Sequence, residues 1–456
     1  MQELTSIVSS INSVLWGPYC LIPLLVGSGL YFSIRLKFVQ VKRFVMAFRY
    51  VLETISLAGK KADHTGMSSF QSLATAVAAQ VGTGNLAGVA TAIAMGGPGA
   101  IFWMWIAALF GMATIFVEAV LAQLYRTQDK KGHVTGGPAY YIQNGLKSKG
   151  LAVFFAVAII IALGFIGNMV QSNSIAAAFD KAWGIPAPVV GIVMAALAGF
   201  VFIGGIGRIA STTEKLVPLM AVFYLVGGLI VCISYWDGIL PAFKMIFVGA
   251  FDPAAATGGV VGASIKEAIR YGVARGLFSN EAGMGSTPHA HAMARVKYPA
   301  QQGFVAMVGV FFDTFIVLNM TAMVILATGA LDGTRTGIEL TQYAFELGFG
   351  TLGLSFVAIC LFFFAFSTII GWYFFAEQNV KYLFGNRAVL PYQLIVVLFV
   401  FLGSLLQVNL VWELADMFNG LMVLPNLIAL LALYKLAGKA LEDYEGIYDA
   451  KHGHHF

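Results

Sequence analysis

The sequence predicts an all-α polytopic membrane protein of about eleven spans, two of them broken near the membrane midplane. Three observations carry this. Hydrophobic residues make up 59% of the 456-residue chain and charged residues only 11%, whereas a soluble domain carries about 25% charged residues. Apolar runs of spanning length recur along the whole chain. Finally, Gln80-Val-Gly-Thr-Gly-Asn-Leu-Ala-Gly88 interrupts one such run with glycines, amides and a hydroxyl. Glycine frees the backbone there. In a bilayer, freed N–H and C=O groups are tolerated only where they line a cavity or meet a ligand.

A window of about 20 residues places the spans near 12–33, 68–95, 98–125, 151–180, 187–207, 215–236, 259–285, 303–330, 350–380, 389–408 and 412–437. The seventh is interrupted by Lys266, Glu267, Arg270 and Arg275. Glu267 and Arg270 are three residues apart and are expected to pair at an external vestibule or gate. The first eleven residues carry Glu3 and no Lys or Arg, unlike the basic start of a signal peptide. The first run therefore reads as a retained span. Cys20, Cys232 and Cys360 lie inside apolar runs and imply no disulfide framework or metal cluster. The seven histidines, His64, His133, His289, His291, His452, His454 and His455, fall in loops or the tail without metal-ligand spacing inside a span.

Charge predicts the orientation. With the 34–67 connection cytoplasmic, 21 of the 27 Lys and Arg residues fall in cytoplasmic loops, among them Lys60, Lys61, Lys130 and Lys131. Lys181, Lys244 and Arg335 fall outside. The positive-inside rule then sets the N-terminus outside and the C-terminus in the cytoplasm. The net charge of +5 follows from this bias and calls for no nucleic-acid partner.

An internal repeat organises the spans. Asn85-Leu-Ala-Gly88 is echoed by Asn280-Glu-Ala-Gly283, 195 residues later, and the same offset relates Glu118 to Asp313. Two sets of five spans result, 68–236 and 259–437, preceded by 1–67 with one extra helix and a basic loop, and followed by a cytoplasmic tail at 438–456. An odd number of spans per repeat inverts one half relative to the other. Inverted repeats, each with a broken first helix, place a binding site between the breaks.

Each motif has a structural reading beside a functional one. Gly82-Thr83-Gly84 is either a close-packing surface or a site, and packing does not explain the clustering of Gln80, Thr83 and Asn85. N–H groups at the start of the half-helix from Asn85 attract a carboxylate. Carbonyls released in Gly276-Leu-Phe-Ser-Asn-Glu-Ala-Gly-Met-Gly285 suit a cation or ammonium group. Together the breaks complement a zwitterion, favouring an α-amino acid. Ser367 and Thr368 either bond carbonyls one turn back or coordinate Na⁺ with carbonyls of span two. Trp372, one turn on, can wall a small pocket. In span four, Phe165, Asn168, Gln171 and Asn173 either hold helices together or touch substrate. Glu118 and Asp313 are intramembrane acids whose matched placement favours architecture over proton relay.

These residues resemble a known family. Gly82-Thr-Gly-Asn-Leu-Ala-Gly-Val-Ala-Thr-Ala-Ile-Ala-Met-Gly-Gly-Pro-Gly-Ala-Ile-Phe-Trp-Met-Trp105, Gly136-Gly-Pro-Ala-Tyr-Tyr141 and Phe278-Ser-Asn-Glu-Ala-Gly-Met-Gly-Ser286 are similar to segments of the alanine or glycine:cation symporters. The resemblance covers nearly the whole chain. It implies the five-plus-five inverted repeat of the leucine transporters with one extra N-terminal helix, and import of alanine or glycine with Na⁺. It implies that Gly82, Thr83, Gly84 and Asn85, with Gln80, Phe165, Gln171, Phe278, Ser279, Met284 and Trp372, meet the substrate. It implies a sodium site of Ser367 and Thr368 with carbonyls near Ala78, Val81 and Phe364. Trp372, where leucine transporters have a smaller residue, suits a small substrate. No cofactor is expected beyond Na⁺ as coupling ion. The alternative is a proton-coupled amino acid carrier. No nucleophile–base pair or metal set recurs within the spans, which disfavours an enzyme.

Overall fold

The computed structural model describes residues 2–17, 19–55, 62–63, 65–128, 132–258, 262–406 and 408–452. Lys60, Lys61, His64, Lys130, Lys131, His454 and His455 lie outside the described residues, as does the end of the predicted tail. Apart from a short hairpin pairing Thr127–Gln128 with Val134–Thr135, the described secondary structure is helical.

Helix α1 is Gln2–Leu15, α2 Leu21–Arg35, α3 Ser69–Gln80, α4 Val89–Gly96, α5 Gly99–Leu124, α6 Lys149–Trp183, α7 Ala187–Ile203, α8 Gly205–Ser234, α9 Ile265–Asn280, α10 Pro299–Ala327, α11 Leu352–Phe384, α12 Asn386–Leu405 and α13 Leu410–Tyr448. Among the described residues, seven helices are long and apolar enough to cross a membrane, or eight with the bent pair α3–α4 counted as one span. Helices α2 and α7 are apolar but shorter. Apolar side chains of α7, α8 and α12, such as Ile192, Phe200, Leu219, Val222, Leu394 and Leu398, stand exposed. A soluble surface avoids a band of this size, and a lipid-facing one requires it.

The run expected as one helix over 12–33 is two. Helix α1 ends at Leu15, the chain turns at Trp16-Gly17, and α2 starts at Leu21. Helix α1 lies against the start of α13, where Asn12 donates to the Glu413 carbonyl at 2.8 Å and the Trp16 indole donates to the Asp416 carbonyl at 3.1 Å. Hydropathy merged the two because apolar residues stand on both sides of the turn, Val14, Leu15 and Trp16 before Gly17 and Tyr19 to Ile22 after it.

Both broken segments begin on the same local device. Ser68 accepts from the Gln71 N–H while Gln71 accepts from the Ser68 N–H, closing a capping box on α3. Ser264 and Glu267 form its counterpart on α9. Glu267 is thereby engaged as a cap, and Arg270 lies over the Tyr271 ring, so the two do not form the expected pair. His289 and His291, expected in a loop, are buried in the short helix Pro288–Ala292 that follows the second break.

Candidate functional site

Helix α3 stops at Gln80, and a π-helical turn from Gly84 to Gly88 leads into α4, with a bend of 46° between the halves. The irregular stretch is Val81 and Gly82, shorter than the Gly82–Asn85 break read from sequence, because Thr83 is already helical and Gly84 and Asn85 belong to the π turn. The Gly82 N–H donates to Asn85 Oδ1 at 3.0 Å, and the Thr83 N–H donates to Gln171 Oε1 at 3.2 Å. In an unbroken helix these donors would serve the carbonyls of residues 78 and 79. Two helical carbonyls thus lose their partners within a buried segment.

Those carbonyls turn toward Thr368. Its Oγ1 lies 2.9 Å from the Ala78 carbonyl, 3.3 Å from Ala79, 3.4 Å from Val81 and 3.1 Å from Phe364. Ser367 Oγ lies 3.2 Å from the Ala78 carbonyl and 2.8 Å from that of Phe364. A hydroxyl has one proton to give, so four carbonyls around Thr368 are an excess of acceptors. A surplus of oxygen in a buried place fits a hard cation. All five residues expected to hold Na⁺ meet here.

The same contact makes Gly82 irreplaceable. A Cβ at Gly82 would stand 2.3 Å from Thr368 Oγ1. Gly82→Ala is expected to separate α3 from α11 and remove transport, while surface expression of a tagged protein stays measurable. Full uptake by this variant would show that the α3–α11 contact is dispensable.

The second break runs from Glu281 to Thr287, after α9 ends at Asn280. It sits against the first. Gln80 Nε2 donates to the Asn280 carbonyl at 2.7 Å, and a Cβ on Gly84 would meet Ser279 at 3.1 Å. Each break is braced by an acid from a helix distant in sequence. Glu118 of α5 accepts from the N–H groups of Gly283 and Gly285 at 3.0 and 2.9 Å and from Asn426 at 2.7 Å. Asp313 of α10 accepts from Asn85 Nδ2 at 2.7 Å and from Ser279 at 2.9 Å. Neutral donors therefore serve these acids, and no ion pair forms at either among the described residues.

Around the breaks, the buried atoms Gln80 Oε1, Thr83 Oγ1 and Gln171 Nε2 have no hydrogen-bond partner among the described residues. Buried polar atoms are almost always bonded, so this cluster marks where a polar ligand fits. Gln171 reaches the first break. Asn168 turns back to the Gly164 carbonyl, and Asn173 bridges to the carbonyls of Gly403 and Leu406. Phe165 packs on Phe399 and Tyr392 of α12 instead of facing the breaks. Met284 is buried in the second break. Trp372 meets Phe278 edge-on at 5.7 Å, and its indole N–H donates to Glu281. Glu281 was the residue sequence reasoning passed over, although an acid inside a membrane break is itself a signal.

Residues 1–456, the whole chain, match the profile of the Sodium:alanine symporter family. The chain belongs to that family. A sodium/alanine symporter of Methanococcus maripaludis, AgcS, is 43% identical over 95% of this chain and 95% of its own. A probable sodium/glutamine symporter of Bacillus subtilis, GlnT, is 40% identical over 97% of this chain and 91% of its own. Among solved structures, a manganese transporter of Eremococcus coleocola superposes with a TM-score of 0.52 at 14% identity, over 83% of this chain and 81% of that one. That last likeness concerns fold alone. Membership of the sodium:alanine symporter family makes the chain a multi-pass membrane transporter and not an enzyme.

Proposed function

We propose that the protein imports small neutral amino acids, alanine and glycine, in symport with Na⁺ by alternating access. The observation that carries this reading is the excess of carbonyls around Thr368, formed by the same helix break that takes the Gly82 and Thr83 N–H groups out of the helical ladder. Sodium and substrate then share one segment of backbone, which is the simplest physical basis for coupling them. The amide oxygens of Asn85 and Gln171 occupy the two N–H groups as the oxygens of a substrate carboxylate would. Gln80, Gly82, Thr83, Gly84, Asn85, Gln171, Phe278, Ser279, Met284 and Trp372 form the proposed substrate set. Ala78, Val81, Phe364, Ser367 and Thr368 form the proposed sodium set. Na⁺ entering down a membrane potential supplies about 2.3 kcal/mol per 100 mV.

The proposed frame has eleven spans, with α1–α2 and a basic loop over 1–67, five-span repeats over 68–236 and 259–437, and a tail over 438–456. Matched capping boxes at Ser68 and Ser264, and the reciprocal bracing by Glu118 and Asp313, support an inverted pair. The N-terminus lies outside in this frame. A cavity of about 850 Å³, floored by Arg275, Trp412 and Asp416, then opens to the exterior. The cytoplasmic ends of the breaks are tied. Met67 accepts from the Arg295 N–H and donates to the Met293 carbonyl, each at 2.9 Å, and the Arg295 side chain reaches Asp63 at 2.6 Å.

That latch has a defined pH behaviour. The Thr65 hydroxyl and N–H, then Arg295, hold the Asp63 carboxyl down to about 2. A lowered acid contributes above its unfolded value, near 4, and loses that contribution only as pH falls through about 2. Between pH 5 and 8 the latch should therefore stay closed without substrate. With a cysteine introduced at Ser72, which is buried behind the latch, Arg295→Ala should raise labelling from the cytoplasmic side at all these pH values. With Arg295 intact, labelling that changes with pH relative to the same cysteine in unfolded protein, where only the thiolate fraction varies, would place control elsewhere.

The deciding measurement is uptake of labelled alanine into proteoliposomes with and without an imposed Na⁺ gradient, competed by glycine, serine and leucine. Accumulation that needs Na⁺ and is competed by glycine but not leucine is the expected result. Accumulation that persists with choline and follows a proton gradient would replace Na⁺ by H⁺ as coupling ion.

A further inference from the structure

We propose that Glu281 is a positioning residue that fixes the size limit of the transported amino acid by locking the Trp372 indole. The proposal rests on the substrate site proposed above and adds to it a residue that touches the pocket wall rather than the substrate.

Glu281 is the last place simple propensity would put a carboxylate. It occupies the left-handed position that ends α9, with φ +59°, where glycine or asparagine is favoured. Its side chain is fully buried, and no lysine or arginine pairs with it among the described residues. Backbone strain and an unpaired buried acid are each costly, and they persist where the surrounding structure uses them. Here each carboxylate oxygen has one neutral donor. The Ser286 hydroxyl donates to Oε2 and the Trp372 indole N–H donates to Oε1. Ser286 lies within the same break, so the carboxylate is anchored locally and presented across to α11.

Trp372 is held on its other sides as well. Phe278 meets it edge-on at 5.7 Å, and a Cβ on Gly167 of α6 would lie 2.7 Å from the six-membered part of the indole. The ring is thus packed against a glycine, met edge-on by a phenylalanine and tethered through its one polar atom. Packing alone leaves an indole free to slide in its plane. The tether removes that freedom, since a buried indole N–H without an acceptor is unfavourable elsewhere. A wall that cannot move sets a sharp limit on side-chain size. A wall freed to move admits larger substrates, and pocket differences of a methylene or more change selectivity by about 10–200-fold.

The test measures the ratio of Na⁺-driven uptake of glutamine or leucine to that of alanine in proteoliposomes. Glu281→Ala should raise this ratio by about tenfold or more. Glu281→Gln keeps an acceptor for the indole N–H and should restore the low ratio. Trp372→Phe removes the N–H together with part of the ring and should raise the ratio through both, so the tether is read from the double variant, in which adding Glu281→Ala should change the ratio no further. If Glu281→Ala does not insert, the Trp372→Phe and Glu281→Gln results carry the test. An unchanged ratio in an active Glu281→Ala or Trp372→Phe protein overturns the proposal. So does loss of all Na⁺-driven uptake in Glu281→Gln beside an unchanged ratio in Trp372→Phe, which would make the carboxylate a cation or proton site. If the unaltered protein shows no Na⁺-driven alanine uptake, the transport reading itself fails, which is a different outcome from an altered ratio.

Discussion

Thr368→Ala should reduce Na⁺-driven alanine accumulation by tenfold or more, with the apparent affinity for Na⁺ falling by at least about tenfold, equivalent to about 1.4 kcal/mol. The hydroxyl is the centre on which four carbonyls converge, at 2.9 to 3.4 Å. Alanine removes the oxygen and leaves the carbonyls of Ala78 and Ala79 facing an apolar side chain, so both ion binding and the closeness of α3 to α11 suffer. Thr368→Ser keeps the oxygen and should retain most of the activity. Ser367→Ala should cost less, because Ser367 approaches only two of these carbonyls. The measurement is the Na⁺ dependence of initial uptake rates in proteoliposomes, with insertion checked by protease accessibility. A Thr368→Ala protein with unaltered Na⁺ dependence would remove the sodium assignment and leave the hydroxyls as ordinary helix-to-helix contacts.

Glu118 replacements should act on stability before they act on transport. Three donors converge on its carboxylate, namely the N–H groups of Gly283 and Gly285 and the side-chain amide of Asn426. Glu118→Ala orphans the Gly283 and Gly285 N–H groups and leaves Asn426 Nδ2 only its bond to the Gly283 carbonyl, at about 1–3 kcal/mol for each buried donor, so a loss on the order of 3 kcal/mol is expected. Glu118→Gln is nearly isosteric yet should also destabilise. Its amide nitrogen is a donor and would face an N–H group where the acid offers oxygen. Thermal unfolding in detergent, read by light scattering or a thiol-reactive dye, should show both variants melting well below the unaltered protein. A Glu118→Gln protein that melts normally but no longer transports would instead mark Glu118 as a working acid.

The division of labour between these acids shows how far sequence reasoning reaches. The offset relating Glu118 to Asp313 was legible, and so was a preference for architecture over proton relay. What each acid holds was not. The Glu118 partners lie 165 and 167 residues away, and the Asn85–Asp313 contact spans 228. Which donors meet a carboxylate depends on the rotation of whole helices, and no window along the chain carries that information. Phe165 illustrates the same point. It lies three residues before Asn168 and was expected to meet the substrate, yet the turn there is π-helical, from Ile160 to Gly167, and Phe165 packs on α12. Counting in steps of 3.6 residues fails across a π turn because the extra residue rotates what precedes it.

By itself the sequence determined the membrane class, the location of both helix breaks and the oxygen character of Ser367-Thr368. These are local properties. Hydropathy sums over neighbouring side chains, and glycine acts on its own backbone. Only the tertiary structure decided that the carbonyls of Ala78 and Ala79 turn to Thr368 once the side-chain oxygens of Asn85 and Gln171 take the Gly82 and Thr83 N–H groups. It alone set Glu281 against Trp372 and divided the first apolar run into two helices. Each of these depends on which side chains from distant helices can reach the unsatisfied backbone, and burial in a medium without water makes that satisfaction compulsory.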